Sequence, residues 1–310
     1  MVVGPLRALA KRGSERLLLG LGVGALGRRI RRRDSLILGY HNVIPYGVSI
    51  RGDASLHLPQ RVFSAQLDFL QRHFDVVSLS DLWRPGASHD RPRIAITFDD
   101  GYAGAVRSGV EELATRGLPA TFFVVPAMIG RRTFWWDAVA DGFGGRLDAA
   151  WRTRALEVDG GDDERVRRRA LAEGVRVAPM PEAGTTATED ELSLAIQQPG
   201  ITIGSHTMSH AYLPALGPRA LVREMRDSLE WLRARWPATT AWLSYPYGGR
   251  SVAATACARE AGYEGALLID GGWIHGAGPE EPLAIPRLNV PAGVSLDGFA
   301  LRLSGLGWSS

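Results

Sequence analysis

Cysteine is all but missing from this sequence: Cys257 stands alone among 310 residues, so no internal disulfide can form and redox chemistry says nothing about compartment. It falls in the helical pattern SVAATACAREAG, where a small buried thiol is expected. Lysine is equally scarce, Lys11 being the only one. The positive charge is therefore carried by arginine along the whole chain, a compositional bias rather than a binding stripe, and no nucleic-acid partner is inferred. An apolar run long enough to span a membrane is also lacking. The best candidate, LLLGLGVGALG at 17–27, would cover about 16 Å as a helix against a hydrocarbon core of roughly 30 Å.

What is present is unevenly distributed. Hydrophobic content of 45% and charged content of 22% are ordinary for a globular protein, and 310 residues suffice for one large α/β domain. Residues 1–33 hold nine basic side chains against one acidic, +8, leaving 27 basic and 32 acidic, −5, for the rest. The apolar run at 17–27 is followed by RRIRRRD instead of a small-residue cleavage site, which disfavours export. Residues 1–34 therefore read as a basic N-terminal arm, either packed as a surface helix or associated peripherally with an anionic membrane through residues 1–33. The expected location is the cytoplasm, free or peripherally bound at the inner face of the membrane according to which of these holds. No protein partner is inferable.

From residue 35 the pattern alternates. SLILGYHNV, RIAITF, ATFFVV, ITIGSH, AWLSYPYG, ALLI and AIPRLNV read as short buried strands, separated by helical stretches such as QRVFSAQLDFLQRHF and PRALVREMRDSLEWLRARW. Strand–helix alternation implies right-handed parallel units, and about seven of them predict an α/β fold of the distorted (β/α) barrel type over 35–310. Residues 138–200 break the rhythm with a charged segment, expected to be a mostly helical insertion; Thr188 and Glu191 fit a capping box within it.

Chemistry gathers at the strand ends. RIAITF runs into Asp99, Asp100 and Gly101. Asp-Asp-Gly is ordinary turn chemistry, but two abutting carboxylates at the end of a buried strand also call for a cation or a proton. His206 and His210 follow ITIGS at a spacing of four. Asp100 with the two histidines would offer one oxygen and two imidazoles with positions left open, the composition of a catalytic metal site. Asp99 beside it would then be free to act as a base. Trp135, Trp136 and Trp273 are candidates for stacking on a substrate ring or for burial, with burial in the core expected for one of the first pair and Trp273, between glycines in a predicted loop, favoured for substrate contact.

In the order TFDDG (97–101), TFFV (121–124), SHTMSH (205–210) and YPYG (245–248), the chain resembles the polysaccharide deacetylases of carbohydrate esterase family four, the NodB-homology domain, over roughly residues 35–292. With YPYG and an early YH it is similar to the subgroup acting on exopolysaccharides. The resemblance implies a hydrolase removing N- or O-acetyl groups from an acetylated glycan with one divalent metal ion, usually zinc. It implies Asp100, His206 and His210 as ligands, Asp99 as general base, and main-chain amides near Tyr247 as help for the oxyanion. Many members carry an arginine before the PY motif to orient the base, where this chain has Ser244; Arg287, in IPRLNV, is the candidate to replace it from another strand. The general acid comes from a late histidine in many members. Here His41 in LGYHNV is favoured, and His275, the only late histidine, is the alternative and a candidate substrate contact. Two other readings compete: a lapsed deacetylase kept as a carbohydrate-binding module, and an iron oxygenase with two histidines and one carboxylate.

Overall fold

The structure is a computed structural model and describes residues 3–84, 90–276 and 278–305, with side chains from residue 11. Two helices, α1 (Val3–Gly20) and α2 (Val23–Ile30), precede the first strand. The sheet and its companions follow: β1 (Ser35–Tyr40), β2 (Asn42–Ile44), β3 (His57–Pro59), α3 (Gln60–His73), β4 (Asp75–Val76), β5 (Arg93–Phe98), α4 (Val110–Arg116) and β6 (Ala120–Val124). The long connection to β7 (Ile201–Ser205) is helical, with α5 (Trp135–Ala140), α6 (Ala149–Glu157), α7 (Asp163–Ala172) and α8 (Glu189–Ala195). Then come α9 (Pro218–Val222), α10 (Ser228–Arg235), β8 (Trp242–Ser244), α11 (Val252–Glu260), β9 (Gly265–Leu267), β10 (Leu288–Asn289) and α12 (Leu296–Arg302).

Seven strands run in the order β10-β1-β5-β6-β7-β8-β9, every pairing parallel, and β4 adds an eighth on the edge of β5. This is the curled, incompletely closed α/β barrel expected from the strand–helix alternation. β4 and β6 share one edge of β5: β4 pairs at Arg93 and Ile94, β6 at Thr97 and Phe98. Both β1 and β5 are buried at all six positions, which is why they read as unbroken apolar runs.

Strand periodicity sorts the side chains. Tyr40, Phe98, Phe122 and Ile203 lie in register across four strands. Phe98 stacks on Phe122 at 4.7 Å, and Tyr40 meets Phe63 of α3 at 5.3 Å, so this row packs towards the helices. The alternate row, Gly39, Thr97, Thr121 and Thr202, faces the opposite side of the sheet. Thr97 there predicts the direction of Asp99, two residues further on.

The helix after β5 begins with a π-turn at Ala105–Gly109 and continues as α4. It lies so close to β2 that a Cβ at Gly104 would stand 2.3 Å from the Val43 carbonyl oxygen. The second glycine of DDGYAG is thus a packing requirement. The capping box at α8 is formed, with Thr188 and Glu191 each accepting from the other's backbone.

Candidate active site

The residues singled out in sequence reach one cleft from different strands. Asp99 and Asp100 follow β5, His206 and His210 follow β7, Tyr247 follows β8 and His41 follows β1. All six line a narrow cleft at the C-terminal ends of the strands, where parallel barrels place their chemistry. In an extended chain Asp99 and Asp100 would point to opposite sides. Asp100 instead adopts φ 72° and Gly101 φ 68°, a left-handed turn that brings both carboxylates to the mouth. Thr207, His210 and Tyr247 also have positive φ, at 63°, 63° and 58°. Four of the five non-glycine residues with positive φ among those described therefore sit at or beside this cleft, strain of the kind held at functional sites.

Asp99 is 3% exposed and bound to Arg287, itself 1% exposed. Nη1 donates to Oδ1 at 2.8 Å and Nη2 to Oδ2 at 2.7 Å, a two-pronged charge-assisted pair. Ser244 Oγ donates to Oδ2 at 3.1 Å and accepts from Nη2 at 2.9 Å. The guanidinium is further tied to Thr97 Oγ1 and the Leu268 carbonyl. Burial pushes the Asp99 carboxyl up, but Arg287, with His206, more than reverses this and holds it down at about 2. Arg287 arrives because β10 pairs with β1 at Leu38 and Gly39, joining the last strand to the first.

Asp100 Oδ1 lies 3.4 Å from His206 Nε2 and 3.2 Å from His210 Nε2. One ligand atom from each of the three residues falls within 4.8 Å of the others, and all three side chains are buried. His206 Nδ1 is 2.7 Å from the Ser244 carbonyl oxygen. A carbonyl can only accept, so Nδ1 carries a proton and Nε2 is the nitrogen turned towards Asp100. Burial pulls His206 down, but Asp99 and Asp100 more than reverse this and raise it above the ordinary imidazole value. In its neutral form Nε2 offers a lone pair, and together with Asp100 and His210 the donor set fits a divalent ion with open positions. Burial raises the Asp100 pKa, and the contacts of His206 and His210 turn the net shift downward. Burial also pulls His41 below the usual imidazole range, only partly offset by Asp100 and Asp99.

The aromatic wall is fixed by hydrogen bonds. Trp135 Nε1 donates to the Tyr247 hydroxyl at 3.0 Å, and Trp136 Nε1 to the Tyr102 hydroxyl at 2.9 Å. The Trp136 ring lies 4.8 Å from that of His210. Both tryptophans are buried and line the cleft. Behind them Asp137, 1% exposed, accepts from the Tyr102 hydroxyl at 2.5 Å, from His57 Nε2 at 2.8 Å and from the Asp53 amide at 2.9 Å. Asn42 Nδ2 donates to His57 Nδ1 at 3.0 Å, which puts the His57 proton on Nε2. Asp137→Ala would orphan these buried donors, and the expected loss is about 3 kcal/mol or more of unfolding free energy, measured by urea denaturation, with Asp137→Asn recovering part of it.

Trp273 and His275 lie elsewhere. Ile274 forms an antiparallel bridge with Ser35, the first residue of β1, which carries this loop to the N-terminal end of the strands. Trp273 packs there against Phe74 and beneath Arg31; His275, with its side chain 70% exposed, bonds Asp34 at 2.9 Å. Neither is among the residues that line the cleft, so the expectation of substrate contact from these two is corrected. Conversely, the cleft includes Asp53, Leu56, Arg152 and Ile269, which sequence reasoning missed. Only Asp53 carried a local cue: RGDAS forms a turn in which Asp53 Oδ1 accepts from the Ser55 amide and hydroxyl.

A parallel α/β barrel whose strand ends gather an Asp-His-His cluster beside an arginine-bound carboxylate defines a hydrolase of the deacetylase class, and its architecture sets aside the β-sandwich of an iron oxygenase. The family model described as polysaccharide deacetylase matches residues 86–266, and the chain belongs to that family, hydrolases acting on acetyl groups. YxkH of Bacillus subtilis (strain 168), named as a candidate polysaccharide deacetylase, is 22% identical over 275 residues, spanning 87% of this chain and 76% of that protein. Among solved structures, IcaB from Ammonifex degensii superposes with a TM-score of 0.61 at 17% identity, covering 88% of this chain and 97% of that one. The Streptococcus pyogenes deacetylase PplD, solved with acetate, gives 0.60 at 15% identity, covering 87% and 98%.

Proposed function

We propose that the protein is a metal-dependent deacetylase that removes N-acetyl groups from a polysaccharide, an oligosaccharide or a lipid-linked sugar. The observation that carries this reading is the convergence of Asp100, His206 and His210 next to a carboxylate pinned by Arg287. The three would hold one divalent ion, zinc foremost. When bound, such an ion supplies Lewis acidity, polarising the acetyl carbonyl and making water a better nucleophile at neutral pH.

The chain's own residues do the rest. Asp99, kept ionised by Arg287, accepts the proton of the attacking water. Arg287 and Ser244 fix the carboxylate so that neither oxygen rotates away. Tyr247 offers its main-chain amide to the developing oxyanion. His41, across the cleft, protonates the departing amine. A lapsed binding module would have no use for a base locked in this way. The oxygen-linked acetyl ester is the second bond this site could cleave, and the two are separated by assay.

The test is a panel of N- and O-acetylated glycans read as released acetate, with and without chelator. Activity is expected to vanish on chelation and return with zinc, and elemental analysis of repleted protein should give close to one ion per chain. His206→Ala and His210→Ala should each lose that ion. Full turnover after chelation, or unchanged metal content in both variants, would overturn the reading.

A further inference from the structure

Far from the cleft, the N-terminal helices carry an unusual surface. Of the twelve large hydrophobic side chains exposed among the described residues, four fall between positions 17 and 30: Leu17 (64%), Leu21 (71%), Leu26 (55%) and Ile30 (61%). Leu17 and Leu21 are one helical turn apart at the end of α1, where the Leu21 amide still bonds the Leu17 carbonyl. Leu26 and Ile30 are one turn apart on α2. Single exposed leucines are unremarkable, but two such pairs on consecutive helices are the composition of a contact surface.

The hairpin is not a loose tail. Glu15, 2% exposed, accepts from Ser295 Oγ at the start of α12, and a Cβ at Gly27 would stand 2.4 Å from the Ser304 carbonyl oxygen. With that seam holding the helices to the barrel, the four apolar side chains are presented outward on a fixed platform. Arg28, Arg29, Arg32 and Arg33 lie among and just after them in the sequence, the last three exposed, and no ion pair between described residues includes any of the four. Residues 1–33 sum to +8. No described helix is long and apolar enough to cross a membrane.

We propose that the α1–α2 hairpin docks the protein flat on an anionic phospholipid bilayer, Leu17, Leu21, Leu26 and Ile30 entering the interface and the four arginines meeting the lipid phosphates. Charge decides the occupant. A second copy of this chain would press two surfaces of the same strong positive charge together, whereas anionic lipid complements both the leucines and the arginines. The geometry has a consequence for the enzyme. Arg31 and Asp34 join the hairpin to the N-terminal end of β1, opposite the cleft, so the docked protein opens its active site away from the bilayer, an orientation that suits the polysaccharide or oligosaccharide of the proposed function and not the lipid-linked sugar.

The experiment uses the full chain and vesicles of phosphatidylcholine with and without phosphatidylglycerol. Flotation should recover the protein with the anionic vesicles alone. Each arginine changed to serine among Arg28, Arg29, Arg32 and Arg33 should weaken binding about fivefold at low salt. Changing Leu17, Leu21, Leu26 and Ile30 together to serine should abolish it with charge unaltered, and acetate release from a soluble substrate should stay at the wild-type rate in both sets. Because the only native cysteine, Cys257, is buried, an environment-sensitive dye can be attached at Leu21→Cys. Its emission should shift to the blue with anionic vesicles, while the same dye at Val252→Cys, on a 91% exposed position of α11, should not respond. Equal flotation of wild type and both variant sets, a response at position 252 instead of 21, or a blue shift at position 21 that grows with protein concentration and needs no lipid would each overturn the proposal.

Discussion

Asp99→Asn is expected to lower turnover by about 10² to 10⁴ while the metal content stays near one ion per chain. Neutralising this side chain does more than remove a base, because Arg287, 1% exposed, would be left as a buried cation without a counter-charge. That costs about 3–5 kcal/mol, so the variant should also unfold at lower denaturant. Adding Arg287→Met separates the two effects. The double variant has no stranded charge and should recover most of the lost stability, yet remain inactive. Recovery of turnover together with stability would mean that Asp99 merely neutralises the arginine, and the assignment of the base would fall. The pair also shapes acid stability. With its folded value near 2 against an ordinary 3.8, Asp99 contributes stability that is complete above the ordinary value and disappears as the pH drops through about 2; the double variant should lack that part of the acid transition.

Legibility of the fold tracked the length of each buried run. β1, β5, β6 and β7, of six, six, five and five residues, were readable because burial on both faces leaves mostly apolar side chains, with small hydroxyls such as Thr97 and Thr121 between them. β4 has two residues, too few for any periodicity, and exists because β5 offers it an edge; β10, expected over AIPRLNV, shrinks to Leu288–Asn289 beside β1. The β2–β3 pair was invisible for the same reason: SLILGYHNV reads as one strand, but the chain breaks at His41 and pairs Asn42–Ile44 with His57–Pro59 instead. The π-turns at Ala105–Gly109 and Arg223–Asp227 leave the helical pattern of the sequence unchanged and so could not be seen in it.

The site divided along a similar line. Asp99, Asp100, His206 and His210 are contiguous with strands and carry a motif, so their meeting was foreseeable from strand ends alone. The partnership of Arg287 with Asp99 depends on a contact 188 residues apart and could only be suspected from the absence of a nearer arginine. Trp273 went astray because glycines on both sides suggest an exposed loop without giving its direction; the Ser35–Ile274 bridge is what turns it under the barrel. The basic arm was read from its charge, whereas its seam of Gly24 and Gly27, both buried, is what makes it a packed hairpin. Small residues at a helix contact leave a weaker trace than arginines.

His41→Ala should be the second severe lesion, and it tests a different half of the reaction. The side chain directly follows β1, is partly buried, and lines the cleft with Asp99 and Asp100. Its loss is expected to reduce deacetylation of an N-acetylated glycan by about 10² to 10⁴ without displacing the metal. His275→Ala should turn over at the wild-type rate, since that ring is exposed and bonded to Asp34 at the other end of the strands. The sharper comparison is the leaving group. An amine must be protonated to depart, whereas the phenolate of an activated aryl acetate leaves without help. The aryl ester should therefore be hydrolysed by His41→Ala at close to the wild-type rate, while Asp99→Asn, lacking the base that both substrates need, should fail on both. Equal impairment of His41→Ala on amide and aryl ester would show that the ring positions the acetyl group and donates no proton, and a fully active His41→Ala would remove it from the mechanism.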